Sequence, residues 1–308
     1  MKDQGWTIWF KAIRPKFFTA AIVPVLLGTV VAWHGIGELN WILFILALLG
    51  GVFINAGLNL VNDYYDHKSG VDEFNQHHNP FSGGSRMIQE GFISAVWILR
   101  MGIVCFSIGS GIGLYLDYIL PGHTLLIIGL VGVFLAYFYS AAPVHIGYTG
   151  LGEIACGLGF GPVMVLGAYY VQTGKLAWQP LWVSIPIGVL IALVLYINEF
   201  PDWESDKRAN KRTLVVILGK RRAVWLYIAF LLLNYAFIAA GVIGRIFPPL
   251  ILISFLTIPL AFRAVKVSRE NFDKISELLP ANAATIALHL SLGILLSGGY
   301  LLDKVIGI

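Results

Sequence analysis

Nine long apolar runs constrain this sequence more than any other feature. One helix needs roughly 20 mostly apolar residues to cross the hydrocarbon core of a bilayer, and each run is close to that length. Their approximate limits are 18–35, 41–61, 95–116, 121–140, 151–172, 180–198, 223–243, 247–265 and 283–302. The runs predict an all-α integral membrane protein, with nine transmembrane helices in a single bundle and a single domain over residues 1–308.

Composition supports the same class of protein. The chain is 57% hydrophobic and 12% charged, with a mean hydropathy of +0.78, whereas a soluble protein carries about twice that charged fraction. The lipid bilayer is therefore the expected partner. The net charge of +4 does not indicate a nucleic-acid binder, because the basic residues cluster between apolar runs. Cys105 and Cys156 both lie inside apolar runs, so no disulfide framework is expected.

The basic residues predict the orientation. Of the 21 Lys and Arg, 18 fall in the N-terminal segment, Lys2 included, and in the second-to-third, sixth-to-seventh and eighth-to-ninth connections. Cytoplasmic connections carry the excess of positive charge, so the N-terminus is predicted to be cytoplasmic and the C-terminus outside. The segment 1–16 is polar and lacks a small-residue cleavage site, so we expect no signal peptide. The prediction is a multi-pass protein of the cell membrane.

Eight of the 17 acidic residues concentrate in two stretches, within predicted cytoplasmic loops at about 62–94 and 199–222. They are Asp63, Asp66, Asp72 and Glu73, then Glu199, Asp202, Glu204 and Asp206. If the second and sixth helices continue, two sets fall on one helical face each. These sets are Asn59, Asn62, Asp63 and Asp66, and Glu199, Asp202 and Asp206. The sequence therefore predicts an acidic site at the cytoplasmic side.

The two stretches also resemble each other. Asn62-Asp-Tyr-Tyr-Asp66 aligns with Asn198-Glu-Phe-Pro-Asp202 at an offset of 136. We interpret this as two internal repeats, which would bring two carboxylate faces around a midline.

Acids at helix ends can simply mark the water interface, and this is the alternative interpretation of any single Asp. Like charges one turn apart repel, however, and hard divalent cations with oxygen ligands neutralise them. Mg²⁺ typically takes one or two carboxylates together with substrate phosphates and waters. His67, His77, His78 and the two cysteines do not form a zinc-type set. The pattern favours Mg²⁺ held against a diphosphate.

Basic and glycine-rich segments next to the acids fit a phosphate. The segment Asn79-Pro-Phe-Ser-Gly-Gly-Ser-Arg86 offers glycines for close backbone approach and an arginine for a clamp, or is simply a turn. Lys211 and Arg212 follow the second stretch, and Arg14 and Lys16 precede the first helix. They would bind phosphate or express the positive-inside bias alone.

Three motifs resemble one known family. Asn62-Asp-Tyr-Tyr-Asp-x3-Gly70-x-Asp72 and Asp202-x-Glu204-x-Asp206 resemble the two Asp-rich motifs of the UbiA superfamily of intramembrane prenyltransferases. The Gly70-x-Asp72 spacing most resembles the MenA branch, the 1,4-dihydroxy-2-naphthoate prenyltransferases. The segment from Tyr139-Ser-Ala-Ala-Pro143 through Glu153 resembles a third segment of that branch. The branch has Gly-Gly where this chain has Ala-Ala before Pro143. In the second Asp-rich motif, the branch often has Asp where this chain has Glu204. The resemblance runs from about Arg14 to Gly219.

The resemblance implies transfer of a prenyl group from an isoprenoid diphosphate to a small aromatic acceptor in quinone biosynthesis, with no obligate protein partner. It implies Mg²⁺ as the cofactor, bound by Asn62, Asp63, Asp66, Asp72, Asp202 and Asp206. Arg86, and Lys211 or Arg212, would stabilise the departing diphosphate. Tyr139 and Tyr148 would face the allylic cation. Asn59, Asn198 and Glu153 complete the expected substrate-binding set, and Asp66, Asp202, Tyr139 and Arg86 are the expected catalytic residues.

Other functions stay open at this point. The acceptor could be 4-hydroxybenzoate or a lipid-forming glyceryl phosphate. A membrane transporter would also use repeats and intramembrane acids, although here the acids lie at helix ends on one side. Membrane phosphotransferases share Asp-rich Mg²⁺ sites, but their continuous motif with Asp-Gly and Ala-Arg steps is missing.

Overall fold

The computed structural model describes residues 4–75 and 78–307; Lys2 and His77 lie outside them. Within these ranges nine helices are long and apolar enough to cross a membrane, as predicted. In chain order they are Thr19–Ile36, Trp41–Ser69, Ala95–Ile119, Pro121–Phe138, Gly152–Thr173, Trp178–Arg208, Lys220–Ile243, Pro249–Asn271 and Ile275–Ile306. We refer to them as the first to ninth spanning helices. The internal repeat and the cytoplasmic N-terminus stay predictions.

Three of the nine helices, the second, the sixth and the ninth, are much longer than their apolar runs. The second continues to Ser69 rather than 61, and the sixth continues to Arg208 rather than 198. Helix propensity does not follow hydropathy, since Glu, Lys and Arg are good helix formers. The second helix stops only where Gly70 adopts a left-handed φ of 80°, and the sixth continues through Pro201. The predicted cytoplasmic loops therefore begin later, and most of the acids lie on helical extensions.

The apolar core is off-centre. The first, sixth, seventh, eighth and ninth helices enclose it, with fully buried side chains that include Leu27, Ile187, Tyr227 and Leu292. In the sixth helix 67% of the most apolar window is buried, whereas in the fourth helix the share is 6%. The sixth helix is thus the central element, and the fourth lies at the periphery.

Glycines set the distance between the fifth and sixth helices. A Cβ atom at Gly161 would lie 2.6 Å from the Cα of Gly188, and one at Gly188 would lie 2.6 Å from the carbonyl oxygen of Gly157. Small residues allow this close approach of membrane helices, so these glycines serve packing. Both helices carry acidic residues at one end, so their spacing fixes the geometry there.

Short segments cap that end of the bundle. They are the N-terminal helix Gln4–Ala12, the turns Pro15–Phe17 and Ile146–Tyr148, and the short helices Val71–Phe74 and Leu214–Leu218. Contacts from these segments hold the acidic side chains, as the next section describes.

Candidate active site

The second spanning helix brings the first acidic stretch to one face, as its spacing predicts. Asn59, Asp63 and Asp66 are buried, and Asn62 is partly buried. The Asn62 amide donates hydrogen bonds to Asp66 Oδ2 and to Ser140 Oγ, both at 3.0 Å. The face is therefore ordered by its own side chains before any ligand is considered.

Gly70 explains the position of Asp72. Its φ of 80° turns the chain out of the second helix, a conformation that only glycine adopts without strain. The short helix Val71–Phe74 then returns Asp72 to the acidic face, where it is 3% exposed. The Gly70-x-Asp72 spacing thus places one more carboxylate beside Asp66 from outside the helix.

The sixth spanning helix supplies the facing side chains. Asn198, Glu199 and Asp206 are buried, and Asp202 is partly exposed. The Asn75 amide, which follows the short helix after the first stretch, donates to Asp202 Oδ1 at 2.7 Å. The two predicted acidic faces therefore meet across one space.

Lys211 lies between the two faces. Its Nζ is 3.2 Å from Asp66 Oδ2 and 3.8 Å from Asp206 Oδ1, and it sits 5.3 Å from the centre of the Tyr148 ring. Burial alone would lower the pKa of the Lys211 ammonium, but the carboxylates of Asp66 and Asp206 outweigh it and raise the pKa well above its ordinary value. Lys211 thus stays charged at the centre of the cluster.

Arg14 is the second cation of the cluster. It forms an ion pair with Asp63, and its Nη2 lies 3.5 Å from Asn62 Oδ1. Burial lowers the pKa of Arg14, against the opposing effect of Asp72, Asp66 and Asp202. The sequence is compatible with phosphate binding or with positive-inside bias for Arg14, and the fold places it among the acids.

The pKa of the Asp72 carboxyl group reflects the excess of buried negative charge in the site. Burial, together with the charge of Asp66, raises the pKa of Asp72 to about 7, while Arg14 and Lys211 oppose the shift. More acids than cations share one buried space, which is the imbalance that a divalent cation would correct.

The glycine-rich segment covers this end of the site. Gly83 and Gly84 have φ values of 79° and 73°, and a Cβ at Gly84 would lie 3.0 Å from Asp72 Oδ2. The segment is a turn whose backbone closely approaches the acids, and phosphate binding by it stays a prediction. Asn75 is part of the same cover, although no sequence signal singled it out.

Several predicted residues lie around the site rather than in it. Arg86 donates to the backbone carbonyl of Asp72 at 2.7 Å, and Arg212 is exposed. The Tyr148 hydroxyl donates to Asp66 Oδ1 at 2.6 Å, and burial raises its pKa above the ordinary value. Glu153 is buried and accepts from the Leu214 amide at 2.9 Å. None of these four is among the residues that line the cavity described next.

A cavity of about 490 Å³ connects the acidic end to the middle of the bundle. Its polar end includes Arg14, Asn62, Asp66, Asp72, Asn75, Asn198, Glu199, Asp202, Asp206 and Lys211. The rest is apolar and continues between the second, third, fourth and fifth helices, past Gly50, Gly113, Ile128 and Val171. Tyr139 lines the boundary, and burial raises the pKa of its hydroxyl well above the ordinary value. Such a cavity suits a long apolar molecule with an anionic head.

The donor set fits a hard divalent cation that shares its ligands with phosphate. All candidate ligands are carboxylate or amide oxygens, as Mg²⁺ prefers, and Asp206 Oδ1 is buried without a hydrogen-bond partner. Among residues 4–75 and 78–307, no three His, Cys, Asp or Glu side chains are already gathered around a single point.

The chain matches known proteins over nearly its whole length. Residues 21–289 match the model of the UbiA prenyltransferase family. The 1,4-dihydroxy-2-naphthoate octaprenyltransferase of Bacillus subtilis (strain 168) is 31% identical, over 98% of this chain and 94% of its own. The 2-carboxy-1,4-naphthoquinone phytyltransferase of Synechocystis is 28% identical over 95% and 92%. A UbiA homolog from Archaeoglobus fulgidus, solved bound to DMAPP and Mg²⁺, superposes with a TM-score of 0.67 at 16% identity, over 92% of this chain and 98% of its own.

Proposed function

Because this chain belongs to the UbiA prenyltransferase family, and is thus a multi-pass membrane prenyltransferase, we propose that it catalyses the Mg²⁺-dependent transfer of a prenyl group from an isoprenoid diphosphate to 1,4-dihydroxy-2-naphthoate in quinone biosynthesis. The observation that carries this proposal is the cavity, with two facing acidic clusters at one end and an apolar remainder. A diphosphate with Mg²⁺ matches the first part, and a prenyl tail matches the second.

The metal ligands in this proposal come from both clusters. Asn62, Asp63, Asp66 and Asp72 would hold Mg²⁺ on one side, and Asp202 and Asp206 on the other. When bound, the ion neutralises the diphosphate and makes it a better leaving group. The solved archaeal homolog that shares this fold is bound to DMAPP and Mg²⁺, which supports Mg²⁺ and a diphosphate donor for this chain.

The cations of the site would stabilise the departing group. Lys211 lies between Asp66 and Asp206, and Arg14 lies beside Asp63. Both line the polar end of the cavity, so both would add positive charge where the diphosphate gains negative charge. Arg86 supports the site differently, because its hydrogen bond holds the backbone at Asp72.

An allylic cation needs aromatic faces and no nearby water. Tyr139 offers its ring at the boundary between the polar and apolar parts of the cavity. Because its pKa is raised, its hydroxyl remains neutral. Tyr148 does not line the cavity and acts through Asp66, which its hydroxyl orients by a hydrogen bond.

The naphthoate acceptor is supported by the named relatives. Two of them are named for naphthoate or naphthoquinone prenylation. A structural neighbour at a TM-score of 0.59 concerns digeranylgeranylglyceryl phosphate synthase, so a lipid acceptor is the second candidate, alongside 4-hydroxybenzoate. Family membership decides against the transporter alternative. The distribution of basic residues supports a cell-membrane protein whose site faces the cytoplasm.

Carboxyl-labelled dihydroxynaphthoate tests the acceptor. Attack at the ring carbon that bears the carboxylate requires loss of CO₂ to restore aromaticity, whereas hydroxybenzoate loses only a proton. We expect labelled CO₂ and pyrophosphate to be released together by the purified protein with Mg²⁺ and a prenyl diphosphate. Transfer to hydroxybenzoate with retention of its carboxyl group, and none to the naphthoate, would contradict the naphthoate proposal and leave the metal site standing.

A further inference from the structure

Two glutamates outside the metal-ligand set meet at the inner side of the cavity. Glu153 begins the fifth spanning helix and Glu199 lies on the sixth, and both are more than nine-tenths buried, at 5% and 6% exposure. Their side chains are within hydrogen-bond contact of each other. This contact joins the two helices that Gly161 and Gly188 bring together.

Two carboxyl groups in hydrogen-bond contact cannot both be ionised, so the pair holds at least one proton between them. No ion pair neutralises either residue in the described part of the chain, because the contacts of Lys211 go to Asp66 and Asp206. Glu153 receives a hydrogen bond from the Leu214 amide. Oε2 of each glutamate is buried without a hydrogen-bond partner, so the hydrogen bond between the two residues leaves one acceptor oxygen on each of them unsatisfied.

Glu199 is the member of the pair that lines the cavity. The titratable groups that face the pair are Tyr139, Cys156, Tyr196, Lys211 and Asp206. Tyr196 is already engaged, because its hydroxyl donates to the carbonyl of Ala223 at 3.1 Å. A buried carboxyl that faces a cavity without a donor lacks one hydrogen bond, and such a group is destabilising unless a ligand supplies the donor.

We propose that the Glu153–Glu199 pair binds a ring hydroxyl of the aromatic acceptor through Glu199 and that the pair takes up its proton as the new carbon–carbon bond forms. This rests on the proposed function. The hydroxyl supplies the missing donor, and the negative charge of the pair turns the carboxylate of the acceptor away. The pair therefore fixes which edge of the ring meets the prenyl group.

The step balances without another reactant. The hydroxyl proton moves to Glu199, which passes the proton that it shares with Glu153 to that residue. The ring carbon uses its electron pair to bond C1 of the prenyl group. The C1–O bond breaks, and its electrons leave with the diphosphate. With a naphthoate, CO₂ then departs, and the proton returns to the ring oxygen as aromaticity is restored.

The test compares Glu199→Gln with the parent in two assays. Gln can still hydrogen-bond but cannot accept a proton, and loss of general base catalysis lowers a rate by about 100-fold or more. We expect acceptor-dependent prenyl transfer to fall by this factor, while hydrolysis of the prenyl diphosphate without acceptor stays within twofold. Asp117→Asn is the matched control, because Asp117 is buried but accepts hydrogen bonds from Leu126 and His123 far from the site.

Two further measurements separate proton transfer from a structural role. Transfer by Glu199→Gln should recover as pH rises, because the acceptor hydroxyl then ionises unaided, and Glu199→Asp should retain more activity than Glu199→Gln. Parent-like transfer by Glu199→Gln would overturn the inference, as would an equal loss of donor hydrolysis. If the parent itself prenylates neither dihydroxynaphthoate nor hydroxybenzoate, the proposed function fails and the inference fails with it. If the parent prenylates dihydroxynaphthoate or hydroxybenzoate and Glu199→Gln does so equally well, the inference is wrong and the proposed function stands.

Discussion

A single glycine in the third spanning helix should determine how long a prenyl chain the cavity accepts. Gly113 lines the cavity, and a Cβ built there has no atom within 4 Å. Gly113 lies at the same height in the bundle as Gly50 of the second helix, because a Cβ at Gly50 would be 3.4 Å from Ile112, the residue before Gly113. Positions 50 and 66 are 16 residues apart on one helix, which is about 24 Å at 1.5 Å per residue. Gly113→Phe would therefore fill the cavity about 24 Å from Asp66.

A geranyl chain is shorter than this distance, and an octaprenyl chain is longer. The phenyl ring would occupy volume that the octaprenyl tail needs, and such overpacking costs about 1–3 kcal/mol. The value of kcat/KM for octaprenyl diphosphate should therefore fall roughly 5- to 150-fold. The value for geranyl diphosphate should not change. Gly111→Phe is the matched control, since Gly111 is exposed, has nothing within 4 Å and lies outside the cavity lining. Parent-like use of the octaprenyl donor by Gly113→Phe would refute the reasoning, because the tail would then leave the bundle before this level.

Three further predictions concern the polar end. Asp66→Ala and Asp202→Ala should each abolish pyrophosphate release in a folded protein, while the exposed Glu204→Ala keeps most of it; activity within a few-fold of the parent in either Asp variant would count against the metal assignment. EDTA should remove activity and Mg²⁺ restore it, and diphosphate should bind more tightly with the metal; calorimetry that finds equal affinities would contradict this. Lys211→Met should lower the stability of the metal-free protein by about 3–5 kcal/mol, because it leaves buried carboxylates unpaired, and Mg²⁺ should restore part of the thermal midpoint. Lys207→Met is the control, because it removes an exposed lysine that lies over the Trp203 ring, and it should not lower the stability of the metal-free protein.

The sequence predicted those parts of the fold and site that depend on local spacing. Nine apolar runs became nine helices among the described residues, and helical periodicity placed Asp66 with Asn62 because such neighbours are one turn apart. Hydropathy underestimated the second, sixth and ninth helices, since a helix does not end where its apolar residues end. The contacts that order the site join distant positions, and no local pattern encodes them.

Arg86 and Arg14 show the difference between what local spacing predicts and what contacts between distant residues decide. Arg86 follows the glycine-rich segment and was expected at the diphosphate, yet it holds a backbone carbonyl. Arg14 reaches Asp63 from the start of the chain. Likewise, Tyr148 orients Asp66 across 82 residues of sequence, so its role could be suspected from a motif but not described. Which cation or hydroxyl reaches the acids is decided by how the helices pack.

The sparse burial of the fourth spanning helix has a consequence for solubilised samples. Only 6% of the apolar window of this helix is buried, and its Ile128, Gly132 and Val133 line the cavity. In a micelle, detergent alkyl chains surround its outer side at very high local concentration. They resemble the prenyl tail and compete with it for the same apolar volume. The apparent KM for the donor should therefore depend on detergent chain length, and kinetics in lipid nanodiscs are the proper reference for any comparison of donors.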